Sequence, residues 1–228
     1  MIIVQERDRR IIKAIYDHRY LPTKDVERYI FKGLDSRRAR ERILELELAG
    51  LVRRERLDPF ANRTILRLTR SGTALALEHR AAEIPQLRRV DVRTFLHDSL
   101  VISARFRLSE FWEAVWIPEG ALKSEDYPQI PDGVMVFASG SQVAIEVENS
   151  SKGPKRFREL QERWRSVRAL MILYIATAPN LYRLIQGYLK TGPQDLPFGL
   201  LLWSDLEMRQ PKIWTARGEI DLLARRDL

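Results

Sequence analysis

Residues 130–149 read Ile-Pro-Asp-Gly-Val-Met-Val-Phe-Ala-Ser-Gly-Ser-Gln-Val-Ala-Ile-Glu-Val-Glu-Asn. Gly133 to Ala138 and Gln142 to Glu148 are two β-rich runs, and Ser139-Gly140-Ser141 between them suits a hairpin turn. Asp132 opens the first run, and Glu146 and Glu148 close the second. Positions i and i+2 of a strand face the same side, so the two glutamates repel each other unless a cation, a base or water screens them. Strand interiors are poor in acidic residues. Asp132 heads the neighbouring strand and can approach the pair. Three oxygen donors gathered at a sheet edge suit a hard cation, Mg²⁺ or Mn²⁺. Such an ion activates water and stabilises charge on a phosphodiester. The structural alternative is that Asp132 caps a turn and the glutamates line a solvated sheet face.

The elements around this hairpin set its fold class. Thr94 to Trp112 has helical spacing, with Phe95, Leu96, Leu100, Ala104, Leu108 and Phe111 inward. Ala114 to Pro118 is a short strand candidate, followed by a loop rich in Pro, Asp and Glu. After the hairpin come an amphipathic helix, Pro154 to Val167, and an apolar run, Ala169 to Ala176, that suits a strand buried on both faces. Asn180 to Lys190 is helical and Gly199 to Trp203 is a further buried strand. The order α-β-β-β-α-β-α-β predicts a mixed α/β sheet with helices on its faces. The helix from Pro154 carries Lys155, Arg156, Arg158, Arg163 and Arg165, which either steer a phosphate backbone or form a solvated face. Trp112, Trp116, Trp164, Trp203 and Trp214 read as core residues.

Upstream, the pattern changes. Arg7 to His18 sets Ile11, Ile12 and Ile15 at helical spacing, and Tyr20-Leu21-Pro22-Thr23 breaks it. Thr23 is a good N-cap for a short helix over Lys24 to Phe31, which Gly33 ends. Asp35 or Ser36 caps a third helix that runs to Gly50, with Ala39, Ile43 and Leu46 on one face and Arg37, Arg40 and Glu41 on the other. Two β-rich runs follow, Leu51 to Leu57 and Thr64 to Leu68, split by a turn at residues 58–63. Thr69 or Ser71 caps a fourth helix through Ala82, and residues 84–91 read as a linker. The chain therefore divides into modules 1–88 and 92–228.

Charge supports that division. The chain has 228 residues and a formal charge of +8. Residues 1–90 hold 21 Lys+Arg against 13 Asp+Glu, and residues 91–228 hold 18 of each, so the whole excess lies in the first module. A basic module joined to a neutral one suits nucleic-acid binding, although a solvated arginine-rich surface has the same composition. The absence of cysteine excludes disulfides, zinc fingers and a thiol nucleophile. The N-terminus is charged by its sixth residue, unlike a signal peptide, and no apolar run reaches membrane-spanning length. These features predict a soluble, cytoplasmic protein with no membrane partner.

Helix, helix, helix, hairpin, with Ala49–Leu57 (AGLVRRERL) and Leu66–Gly72 (LRLTRSG), strongly resembles a winged helix-turn-helix. The resemblance implies that the third helix enters the major groove of double-stranded DNA and that the wing touches the backbone. Ser36, Arg37, Arg40 and Glu41 are then candidates for base or phosphate contact, with Arg38 and Arg42 nearby and Arg63 at the wing tip. Arginine suits this because its planar fork grips guanine or phosphate with two bonds. The alternative is that some of these arginines pair with Glu41, Glu45 and Glu47 along an exposed helix.

The second module, over residues 93–205, is similar to the PD-(D/E)XK restriction-endonuclease-like superfamily, which has an αβββαβ core. It matches at Pro131-Asp132 and at Glu146, but Glu148 stands where that pattern has lysine. The resemblance implies that Asp132, Glu146 and Glu148 are metal-binding and catalytic, with Lys152 or Lys155 as the relocated lysine. Taken whole, with His97-Asp98 in the helix that follows the winged helix, the chain resembles the replication-relaxation family of mobile elements and similar plasmid mobilisation proteins. That implies a metal-dependent DNA endonuclease or nickase in plasmid mobilisation, replication or transposition, alongside other DNA-processing proteins of the element or a second copy of the chain. His97 is then a phosphate ligand or proton-transfer group, or else a structural histidine beside Asp98. Tyr127 is an alternative nucleophile. The competing expectation, from Glu148 in the lysine position, is an inactive relaxosome or origin accessory factor, or a repressor.

Overall fold

The computed structural model describes residues 2–57, 63–77, 90–123, 129–167 and 169–222. The chain divides into two compact units, Met1–Ser103 and Ala104–Leu228. Residues 84–89 of the expected linker, the turn at 58–62 and Tyr127 lie outside the described residues. No described helix is long and apolar enough to cross a membrane.

In the first unit, α1 (Glu6–His18) buries Ile11, Ile12, Ala14 and Ile15, the face set by their spacing. It is followed by β1 (Leu21–Pro22), where the sequence reads only a break. Leu21 and Pro22 pair with Leu66 and Ile65. Two residues are too few to show a period, and proline is tolerated on an edge strand because the missing N–H faces away from the ladder. The second helix begins as α2 (Thr23–Asp25) and continues as a π-helical turn, Val26–Ile30, in which the Phe31 N–H reaches the Val26 carbonyl at 3.0 Å. Thr23 is not the cap expected of it: Pro22 holds the N-cap position, and the Thr23 hydroxyl donates to the Thr64 carbonyl at 3.2 Å.

Asp35 caps α3 (Ser36–Leu48), accepting from the Arg37 N–H at 2.8 Å. Ala39, Ile43 and Leu46 are its buried face. β2 (Val52–Arg56) and β3 (Thr64–Leu68) form a hairpin that β1 joins, in the antiparallel order β1-β3-β2. Thr69 caps α4 (Arg70–Ala76) by accepting from the Gly72 N–H at 3.1 Å. Only glycine fits at 72, because a Cβ there would overlap the Leu51 carbonyl. α5 (Phe95–Leu108) runs through the division at Ser103. At its start Tyr20 stacks on Phe95, centroids 5.4 Å apart, and donates to the Phe95 carbonyl at 3.1 Å. Leu96, expected inward, is exposed.

The second unit is a mixed α/β structure built on a seven-stranded sheet in the order β10-β9-β8-β7-β6-β5-β4. β4 (Ala114–Pro118), β5 (Gly133–Phe137) and β6 (Gln142–Glu148) form an antiparallel meander, with the short α6 (Glu119–Leu122) after β4. α7 (Pro154–Arg163) then crosses to β7 (Met171–Ala176), and α8 (Pro179–Thr191) to β8 (Phe198–Leu202). β6, β7 and β8 run parallel, as two helical crossovers require. α7 is shorter than its amphipathic pattern suggests, because the chain tightens into a 3₁₀ turn over Trp164–Ser166. A final hairpin, β9 (Lys212–Thr215) and β10 (Gly218–Asp221), extends the sheet. Its strands are short and polar, so their alternation is faint.

One sheet face gathers Ala144, Ile172, Tyr174, Ala176 and Leu200 against Phe157 and Trp164 from the α7 segment and Leu181, Ile185 and Leu189 of α8. Trp112, Trp116 and Trp164 are buried, and Trp203 and Trp214 half-buried.

Candidate functional site

In the first unit, the question is which arginines of α3 are available. Arg37, Arg38, Arg40, Glu41 and Ser36 are all exposed. Arg37 Nε donates to Glu41 Oε1 at 2.7 Å, and Arg40 donates to the Ser36 carbonyl at 3.3 Å and hydroxyl at 3.1 Å. These are contacts between neighbours four apart on a solvated helix, worth a few tenths of a kcal/mol each, so phosphate or base edges compete with them easily. Arg38 has no ion-pair partner among the described residues.

Arg42 differs. Its side chain is 16% exposed and reaches Asp8, which is 0% exposed. Nε sits 2.8 Å from Asp8 Oδ1, and the other nitrogens hold Glu45 and the Ile3 carbonyl. Asp8 also accepts the Gln5 N–H at 2.7 Å, so a single carboxylate closes the start of α1 and anchors α3. These hydrogen bonds hold Arg42 firmly in its charged form. Arg42 therefore ties α3 to α1, and contact with DNA would strip a buried carboxylate of its partner.

Arg63 is exposed where the hairpin closes, its carbonyl accepting from the Leu57 N–H at 3.3 Å. Its charge acts on Asp25, whose carboxyl burial pushes up to about 6 against the pull of Arg28 and Arg63. Arg53 and Arg56 on β2, not among the expected contacts, are also exposed. Strand alternation, with Val52 buried, was the available signal for Arg53.

In the second unit, strand register assembles the carboxylates. The Asp132 N–H donates to the Ile145 carbonyl at 3.1 Å, and its Oδ2 accepts the Val147 N–H at 2.7 Å, extending the hairpin ladder past Gly133. Gly133 lies against the Trp116 ring, where a Cβ has no room. Glu146 and Glu148 share the face of Ala144, under the layer of α7 and α8, and pair in register with Tyr174 and Ala176. Glu148 is 4% exposed, and its carboxylate holds the Lys152 ammonium. Lys152 is fixed from behind, its carbonyl accepting from the Tyr188 hydroxyl at 3.4 Å.

Glu146 is the most perturbed of these groups. Burial, then Asp132, then Glu148 and Glu119 push its carboxyl well above the usual range, and only Lys152 pulls it down. Tyr174 is likewise pushed up by burial and by Glu146, while its hydroxyl accepts the Trp164 indole N–H at 2.9 Å. The register accounts for Glu119: Pro118 lies opposite Gly133, which brings Glu119 beside Asp132. The sequence pattern places Glu119 in the loop after β4, whereas it opens α6. No local pattern marks Glu119, because its place depends on the pairing of Pro118 with Gly133.

Asp132, Glu146, Glu148 and Lys152 thus act on one another, and Lys155 is not among the charges acting on Glu146. Lys155 lines an open depression of about 600 Å³ along α7, with Gly153, Arg156, Glu159, Leu160 and Arg163. His97 is half-buried and belongs to the first unit. Among the described residues no group of three or more His, Asp or Glu is gathered tightly enough to hold a metal as it stands. The donors are nevertheless of the right chemistry for a hard cation: oxygen ligands, with several carboxylates against one ammonium. No protein-family model matches the chain, and no curated protein matches it at a significant level.

Proposed function

We propose that the chain is a DNA-binding protein of a mobile element, with a winged helix-turn-helix in its first unit and a PD-(D/E)XK-type metal-dependent DNA endonuclease or nickase in its second. The helix-strand-helix-helix-strand-strand order, with arginines on the open face of α3, supports the DNA reader. Ser36, Arg37, Arg38, Arg40 and Arg63 are its contact set, and Arg42 is structural. The meander followed by a parallel crossover supports the nuclease-like core.

The observation that carries the reading is Glu146. Glu146 is a half-buried carboxylate whose charge is opposed by Asp132 and Glu148, with Lys152 as the ammonium that offsets them among the described residues, a setting that favours a cation. Mg²⁺ or Mn²⁺ held by Asp132, Glu146 and Glu148 would activate water and offset charge on a phosphodiester. Asp132 is oriented for this by the Val147 N–H. Lys152 is ion-paired with Glu148, and is placed to attract a phosphate oxygen. The test is relaxation or linearisation of supercoiled plasmid bearing the element's origin, with Mg²⁺ or Mn²⁺. Wild type should nick it, and Asp132→Ala and Glu146→Gln should not. Intact plasmid with wild type, or activity surviving in both variants, defeats the proposal.

One observation favours a second reading, an inactive DNA-binding accessory factor or repressor. Lys152 already neutralises Glu148, and Asp132 already serves the backbone ladder. Calorimetric titration with Mn²⁺ separates the two readings, since heat of binding that vanishes in Glu146→Gln belongs only to the nuclease.

A further inference from the structure

We propose that the exposed face of α7 is a second contact for a nucleic-acid backbone, leading a strand toward the carboxylates of the same unit. This deepens the DNA-processing reading and rests on it. Lys155, Arg156 and Arg163 are exposed, and no carboxylate among the described residues pairs with any of them. Arg165, on the following turn, is by contrast fully engaged, with Glu162 at 2.6 Å and with Asp195. Surface arginines and lysines in a chain with 31 acidic residues readily find partners, and this stripe has not.

Helical geometry puts the three cations in one line. Positions 155, 156, 159 and 163 fall on one side of α7, opposite the buried Phe157 and Trp164. They line the open depression with Gly153 and Leu160. Lys155 to Arg163 spans about 12 Å at roughly 1.5 Å per residue. That covers about three nucleotide steps of one strand at roughly 3.4 Å each. The line starts directly after the segment that brings Lys152 to Glu148. Glu159 sits within the stripe and opposes an anion, leaving three cations against one carboxylate along the depression. A polyanion with regularly spaced charges fits this better than a single phosphate.

The test uses the full chain and a labelled random-sequence duplex. Lys155→Gln, Arg156→Gln and Arg163→Gln together should weaken binding about tenfold near 50 mM salt and make the log–log salt slope shallower by about two to three. Glu159→Gln should tighten binding, which a purely structural role would not produce. Arg209→Gln with Arg217→Gln, two exposed arginines elsewhere in the unit, should change affinity less than about twofold. All these sites are exposed, so unchanged thermal melts establish that each variant is folded.

Because the chain has no cysteine, Glu159→Cys also provides a single thiol for crosslinking to backbone-modified DNA. Wild-type affinity and slope in the triple variant, or no crosslink at 159 when Arg40→Cys crosslinks, overturns the α7 proposal. In both of those cases the DNA reader stands. If wild type binds no DNA, the reader and the α7 contact fall together.

Discussion

Arg37 and Lys152 each hold a glutamate four residues away, and the two pairs do opposite work. Arg37–Glu41 lies on open helix, with side chains 77% and 55% exposed. Lys152–Glu148 lies against the sheet, with side chains 22% and 5% exposed. Water screens the first, so either partner can leave at little cost. The second is largely withdrawn from water, where a lone charge costs several kcal/mol. The same spacing therefore marks an available binding face in one unit and a fixed electrostatic centre in the other.

Lys152→Ala should have the largest effect on this contrast. It removes the ammonium held by Glu148 beside an already crowded Glu146, and should destabilise the fold by about 3–5 kcal/mol in urea at pH 8. Lys152→Ala with Glu148→Gln should recover most of that loss. If the single variant costs less than about 0.5 kcal/mol, the pair is as solvated as Arg37–Glu41 and the contrast fails.

Titration sharpens the same comparison. Asp25 and Glu146 both have carboxyls raised in the folded state, to about 6 for Asp25. Below the ordinary carboxylate range both states are protonated and the shift has no effect. As pH rises from there, the unfolded chain releases its proton first, so stability falls until the folded carboxyl also ionises. Asp25→Asn should therefore leave stability near pH 3.5 unchanged, and above pH 6 raise it by up to about 2–3 kcal/mol. Glu146→Gln should act in the same direction at pH 8. Urea midpoints that do not change with pH in wild type would show that neither carboxyl is raised.

What the sequence made legible follows from where each signal resides. Apolar spacing is local, so α1, α3 and the buried strands β7 and β8 are readable from Ile11-Ile12-Ile15, Ala39-Ile43-Leu46 and the runs ending at Ala176 and Leu202. The acidic group was half legible: i and i+2 on a strand gave Glu146 and Glu148, and the hairpin gave Asp132. Glu119 and the choice of Lys152 over Lys155 depend on cross-strand register and on the path of residues 149–153, which no local pattern encodes. β1 and the β9–β10 hairpin depend on partners distant in the chain. The role of Arg42 was hidden for the same reason, since Asp8 lies 34 residues away.

DNA binding tests the exposed side of the comparison directly. Arg40→Ala should weaken DNA affinity by about 1–3 kcal/mol if its guanidinium reads a base, and less if it meets only phosphate. Arg37→Ala should behave alike, because leaving Glu41 costs it almost nothing. Anisotropy titrations at several salt concentrations distinguish the two contacts, since a phosphate contact lowers the salt slope by about one unit. Unchanged affinity in both variants would place the reading surface off α3.

The smallest effect is the most diagnostic of environment. Arg37→Ala should change folding stability by less than about 0.5 kcal/mol, while Arg42→Ala, five positions along the same helix, should cost about 3–5 kcal/mol because Asp8 is left buried and unpaired. Both substitutions remove one arginine from α3; Arg37→Ala loses the pair with Glu41, and Arg42→Ala loses pairs with Asp8 and Glu45 and the bond to the Ile3 carbonyl. The exposed pairs with Glu41 and Glu45 are each worth little, so the difference between the two losses reports chiefly the buried Asp8 contact. Equal losses would mean that Arg42 is solvated like its neighbours, and would return it to the DNA-contact set.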